Sequence, residues 1–274
     1  MAQETQTFLY HAYGVALGGV IRRPFEHVLE SVASVALPVS GGYGAARVSD
    51  FRFRELISFK EAYTQVSGSR SAKDGSYNTL VTSTVEGLNI ADMITADRIV
   101  ARISSEHGDG DDETRVVPVG SEFVNLRVAG KKVDVEVDNA LFTKCDTMAK
   151  FKKTLYEDKA LAKEVARRSL WDEIDKSAPA AVRARYKWQT KAGALPESKG
   201  ILPCTLVKSI RCEAPEVRQF GNVLDIPQFG VLYLAEIYMK QSSRRLTMMR
   251  LEMGSPVEGT LTLGGSEGNG THYP

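Results

Sequence analysis

EFVNLRVAGKKVDVEVD, residues 122–138, alternates apolar and polar side chains on both sides of an Ala-Gly pair. Val133, Val135 and Val137 fall on one face of an extended chain; Lys132, Asp134 and Glu136 fall on the other. That period of two marks a half-buried strand. Ala129 and Gly130 leave room only for a tight turn, so 122–128 and 131–138 predict an antiparallel hairpin.

The same pattern extends outward in both directions. SYNTLVTSTVEG (76–87) and ITADRIVARIS (94–104) predict strands joined by a short loop near Asn89, with further strands at 46–56 and 58–68. In the C-terminal part, GVLYLAEIYM (230–239) is followed by a loop at 240–243 and by SRRLTMMRLEMGSP (243–256). Strict alternation there puts Thr247, Met249, Leu251 and Met253 on an inner face. Leu246, Met248, Arg250 and Glu252 fall on an outer one. VEGTLTLGG (257–265) alternates again, so 243–256 is expected in the middle of a three-stranded meander, with a glycine-rich tail after it.

FLYHAYGVALGGVI (8–21) is apolar, but Glu4 precedes it and Arg22 and Arg23 follow it, the reverse of the charge order in a secretory signal. It is also too short to span a bilayer. We read it as a buried first strand in which Gly14 and Gly18 let neighbouring backbone approach. It carries little of the charge that guards an exposed sheet edge.

Residues 146–192 break the pattern. Asp146 can cap a helix carrying Met148, Phe151 and Leu155. Leu161, Val165, Leu170 and Ile174 predict a second helix, and Ser177 can cap a third with Val182 and Tyr186 that stops at Gly193. The segment holds twelve Lys and Arg against seven Asp and Glu, although the whole chain has a net charge of only +1. The sequence therefore predicts a mainly β protein, an antiparallel β-sandwich with a helical insertion, the alternative being a β-solenoid. The β domain is discontinuous (1–145 and 194–274), and the insertion (146–193) is expected to be separable from it.

ITADRIVARIS, EFVNLRVAGKKV, PQFGVLYLAEIYM and SRRLTMMRLEMGSPVEGTLTLG resemble the bacterial choice-of-anchor P domain family over roughly 76–138 and 200–265. The resemblance implies a β-rich surface or exported domain placed before differing anchoring tails, and it brings no catalytic residues. The chain differs in its helical insertion and in having no recognisable signal peptide or anchor. That difference predicts a cytoplasmic protein or part of an intracellular assembly, with surface display or leaderless export as the alternative. Cys145, Cys204 and Cys212 are too few for a disulfide framework and are expected as free thiols.

Motifs for chemistry are sparse. GGSEG (264–268) places Ser266 in a G-x-S-x-G pattern, but the nucleophile elbow needs a following helix, and only six residues remain. Asp109, Asp111 and Glu113 in EHGDGDDETR (106–115) are oxygen donors of the kind calcium takes, without the spacing of an EF-hand loop. The four histidines have no ligand spacing, and no phosphate-binding or dinucleotide loop is present. No cofactor is implied.

Two surfaces remain. Arg167, Arg168, Trp171, Arg183, Arg185 and Trp188 on the insertion mix cations with aromatics, as a surface for nucleic acid or an acidic partner does. Leu246 and Met248, on the outer face of their strand, are candidates for self-association. The expectation is a non-enzymatic, self-associating structural or interaction module. The alternative is a binding protein that engages an anionic partner through the insertion; a hydrolase is the third.

Overall fold

The Ala129-Gly130 pair does make the turn. Both residues have positive φ, 49° and 72°, but the hairpin is only two pairs long, Arg127 and Val128 against Lys132 and Lys131; Glu122–Val124 pair instead with Arg98–Val100, and Val133–Val137 with Val207–Cys212. In a computed structural model of the chain, residues 7–108, 113–172, 174–190, 195–254 and 257–273 are described.

The strands before the helices are β1 (Thr7–Arg23), β2 (His27–Val32), β3 (Val35–Ala36), β4 (Gly42–Phe53), β5 (Ile57–Arg70) and β6 (Tyr77–Ile90). They continue with β7 (Ile94–His107), β8 (Arg115–Val117), β9 (Glu122–Val124), β10 (Arg127–Val128) and β11 (Lys131–Val137). Four helices follow: α1 (Asn139–Lys144), α2 (Met148–Glu157), α3 (Lys159–Arg168) and α4 (Ala180–Tyr186). The chain then returns to β12 (Leu202–Thr205), β13 (Val207–Cys212), β14 (Arg218–Phe220), β15 (Val223–Ile226), β16 (Gly230–Met239), β17 (Arg244–Met253) and β18 (Glu258–Tyr273).

Two antiparallel sheets result, and together they form a β-sandwich. One has the order β14-β15-β16-β17-β18-β1-β2, with β12 on β16 and β3 on β1. The other has the order β13-β11-β10-β7-β6-β5-β4, with β8 and β9 on β7. The three-stranded meander stands: β17 lies between β16 and β18. The expected glycine-rich tail is instead the second half of β18, paired with β1 along its length. β1 is consequently an inner strand and needs no charge to guard it. Its glycines act differently from the expectation. A Cβ on Gly14 would lie 2.4 Å from Thr64 Cγ2, so that glycine admits a side chain of the other sheet; a Cβ on Gly18 meets nothing closer than 3.8 Å, whereas a Cβ on Gly19 would lie 2.3 Å from the Thr260 carbonyl oxygen.

The strict alternation assumed for β17 fails at one row. Ala16, Gly264, Met248 and Ala235 stand opposite one another across β1, β18, β17 and β16, and regular ladder pairing lapses at all four. Ala235 (φ 47°) and Gly264 (φ 60°) occupy the left-handed region. A left-handed residue turns the pleat over, so two successive side chains point the same way and the inside–outside phase reverses. Leu246 and Met248 therefore join Met249, Leu251 and Met253 in the core, fully buried between the sheets. They are not available for self-association. The second sheet has a matching row, Asp50, Lys60, Gly87 and Asp97, with Asp50 (φ 53°) and Gly87 (φ 64°) left-handed.

The helical segment begins earlier than its composition suggests, at Asn139, where Asp138 caps α1. Thr147, not Asp146, caps α2, and Asp146 pairs with Lys150 instead. Pro179, not Ser177, precedes α4. The segment is built into the molecule. Phe142, Met148, Phe151, Leu155 and Trp171 belong to the main core, and Val182 and Tyr186 pack with Val223, Val231 and Tyr233 on the outer face of the first sheet. All three cysteines are free thiols, Cys145 and Cys204 buried. Among the described residues no helix is long and apolar enough to cross a membrane, which leaves strand-built spans aside.

Candidate functional site

The phase reversal in β16 and β17 turns polar side chains outward beneath α4. Glu236 of β16, Arg250 of β17 and Arg185 of α4 meet there. Arg250 Nε donates to Glu236 Oε2 at 2.9 Å, and Arg185 Nη2 donates to Oε1 at 3.1 Å and Oε2 at 3.3 Å. The Tyr186 hydroxyl donates to Oε1 at 3.0 Å. Arg250 also pairs with Glu252, which accepts from the Tyr233 hydroxyl, and its guanidinium lies over the Tyr233 ring, 3.8 Å from the centroid. Arg185 Nη2 reaches the Tyr238 hydroxyl at 3.4 Å, while its Nε is buried with no hydrogen-bond partner.

The electrostatics follow from this geometry. Burial alone would raise the Glu236 carboxyl, but the guanidiniums of Arg250 and Arg185 outweigh it and hold the group below its ordinary value. Burial opposes the charge on Arg185, and Glu236 more than compensates. Burial and the neighbouring carboxylate push the Tyr186 hydroxyl well above its ordinary value, and Tyr238 moves the same way for the same reasons. The cluster is thus a fixed set of charges with little proton mobility at neutral pH.

Beside it opens a cleft of about 410 Å³. Arg185, Arg245, Arg250 and Lys240 line it against two carboxylates, Glu236 and Glu267, and Tyr238, Ser243, Thr247 and Thr262 add hydroxyls. Arg245 and Lys240 are exposed. A second cavity of about 410 Å³ lies between α2 and α3, with an apolar floor that includes Leu155, Ala166 and Trp171 and with Lys152, Lys159 and Lys163 at its rim.

The six residues expected to form a partner-binding surface do not form one. Arg168 is buried and donates to Asp138 Oδ2 at 2.7 Å, which ties α3 to the cap of α1. Trp171 is buried, with Nε1 donating to the Pro203 carbonyl at 2.9 Å. Both are anchors of the insertion, because a long side chain with an apolar stem and a polar end suits a helix–sheet seam. Arg185 is committed to Glu236, and Arg183 Nε donates to the Ala178 carbonyl. Arg167, Arg183 and Trp188 are exposed. Glu113 accepts the amides of Met148 and Ala149 and so supplies the negative charge that the start of α2 favours. Asp109 and Asp111 lie outside the described residues. Among the described residues no group of His, Cys, Asp or Glu is arranged to hold a metal ion. Ser266 is buried in the middle of β18 and donates to the Ala101 carbonyl at 3.2 Å.

Glu236 and Arg250 escaped the sequence reading, although a signal existed for the first. Glu236 is the lone charge inside the otherwise apolar β16, and a buried charge requires a partner; Arg250 shares β17 with Arg244, Arg245 and Glu252 and carries no such signal. A sequence model described as "Domain of unknown function (DUF8256)" matches residues 8–240, a stretch that contains Arg185 and Glu236 and stops before Arg250. No curated protein and no solved structure matches the chain.

Proposed function

The chain belongs to the DUF8256 family, a domain of unknown function, and we propose that it is a non-enzymatic interaction module that holds an anionic ligand in the cleft beneath α4. The observation that carries this reading is the charge imbalance of that cleft: four cationic side chains against two carboxylates, with Arg245 and Lys240 in no ion pair among the described residues. Guanidinium groups recognise the paired oxygens of carboxylates and phosphates. Hydroxyls on the cleft wall suit a ligand that is also polar along its body. Glu236 favours binding over turnover, because a carboxylate held ionised between two arginines neither delivers nor readily takes a proton.

Calorimetric titration of the whole chain at low salt with pyrophosphate, with citrate and with glucose as a neutral control tests this. Binding of at least one anion, none of glucose, and at least a ten-fold loss of affinity in Arg245→Ala/Lys240→Ala are expected. Pyrophosphate and citrate separate phosphate from carboxylate preference. Absence of anion binding, or binding that the double variant leaves unchanged, overturns the reading. A short single-stranded oligonucleotide whose binding depends on Arg167 and Lys163 instead would return the site to the insertion.

A further inference from the structure

β4 ends the second sheet, and among the described residues no strand pairs with its outer side. The other sheet ends are shorter. β14 has three residues and β2 and β13 have six each, against twelve in β4. An exposed edge is normally guarded by lysine, proline or inward-pointing charge. β4 contains neither lysine nor proline, and Arg47 is already neutralised by Glu61 of β5, Nε to Oε1 2.6 Å. Its left-handed Asp50 interrupts the regular pairing with β5 near one end, so the regular part of the edge is 42–49. Apolar side chains are exposed at this end of the edge: Val39 just before β4 and Tyr43 on β4 are 65% and 63% exposed.

We propose that this edge pairs antiparallel with the β4 of a second copy of the chain, about a two-fold axis through Ala45. The sequence of the edge is self-complementary in that register. Ala45, a small side chain, meets its own copy. Tyr43 stands opposite the partner's Arg47, a ring against a guanidinium, and Gly44 stands opposite the partner's Ala46. No like charges face each other. Tyr43, Ala45, Arg47 and Ser49 are the more exposed alternate set of β4, so these pairs form on the outer surface of the joined sheet. The occupant is a second copy because this register lets the strand meet itself without a clash and supplies an aromatic–cation pair on each side of the axis. The inference is independent of the cleft beneath α4.

Sedimentation velocity of the whole chain at micromolar concentration tests it. The wild type is expected at twice the 30.1 kDa of the chain. Ala45→Lys, which brings two lysines face to face, is expected at 30.1 kDa with an unchanged circular dichroism spectrum and melting temperature. In a Cys212→Ser background, Ala45→Cys is expected to form a disulfide-linked dimer on mild oxidation. A wild type that sediments as a monomer, a dimer that Ala45→Lys leaves intact, or failure of Ala45→Cys to cross-link overturns the proposal.

Discussion

Glu236 accepts from two guanidiniums and a tyrosine hydroxyl, in a place where water does not compensate a lost partner. Glu236→Gln keeps the volume and removes the charge, which leaves Arg185 and Arg250 partly buried without their common counter-ion. The expected cost is about 3 kcal/mol, since breaking a buried pair from one side strands the other charge. Denaturant unfolding at neutral pH measures it. The effect has a pH signature. The folded-state pKa of Glu236 lies below its ordinary value, so its contribution is fully present above the ordinary carboxylate range and is lost as pH falls through the folded value. The gap in melting temperature between wild type and Glu236→Gln should therefore stay constant from neutral pH down to the ordinary glutamate range, about pH 4.3, and narrow as pH falls below it. A gap that stays constant into strongly acid pH would mean that ionisation of Glu236 is not what stabilises the fold.

At the scale of strands and helices, the left-handed row decides what faces the core. A Cβ on Gly264 would sit 3.2 Å from Met248 Cβ and 3.4 Å from Ala101 Cβ, at a φ of 60°. Gly264→Ala should therefore destabilise by about 1–3 kcal/mol, measured as a lower melting temperature; no change would show that the row relaxes freely. The helical segment makes a sharper case. Composition presents it as separable, but Phe142, Phe151 and Trp171 lie in the main core, Arg168 and Trp171 tie it to the rest of the chain, and Tyr186 and Arg185 complete the Glu236 cluster. Replacing 147–193 by a glycine linker should give a chain without cooperative unfolding, followed by near-ultraviolet circular dichroism and heating. A truncated chain that melts sharply within a few degrees of wild type would refute this integration. Element type was legible for the long alternating strands and for α2, because periods of 2 and of 3.6 are local properties; it was not legible for the second half of β18, whose glycines leave little to alternate, nor for Leu170 and Ile174, which lie beyond the end of α3 at Arg168. The start of α1 was not legible either, because Asn139–Lys144 is too short for a helical period to emerge.

For the whole molecule, the sequence by itself determined a mainly β chain with antiparallel hairpins, a helical segment after β11 and a meander of β16, β17 and β18. Each follows from the spacing of apolar residues and from turn residues a few positions apart. The tertiary structure alone decided which strands are inner and which are edges, and so moved the exposed edge from Phe8–Ile21 to β4. Pairing partners lie far apart in sequence: β1 meets β18 across nearly the full length of the chain. It also decided which cations are free. Arg168 and Arg185 look like surface charge in the sequence, yet each is taken up by a carboxylate, Asp138 or Glu236, brought to it by folding. Leu246 and Met248 show the same division at a single strand. Their spacing specified a strand, while the direction of their side chains depended on Ala235 and Gly264 in the neighbouring strands, whose left-handed backbone turns the pleat over. Periodicity fixes local conformation because it is carried by adjacent residues; the facing of a strand depends on contacts that exist only once the sheets have closed.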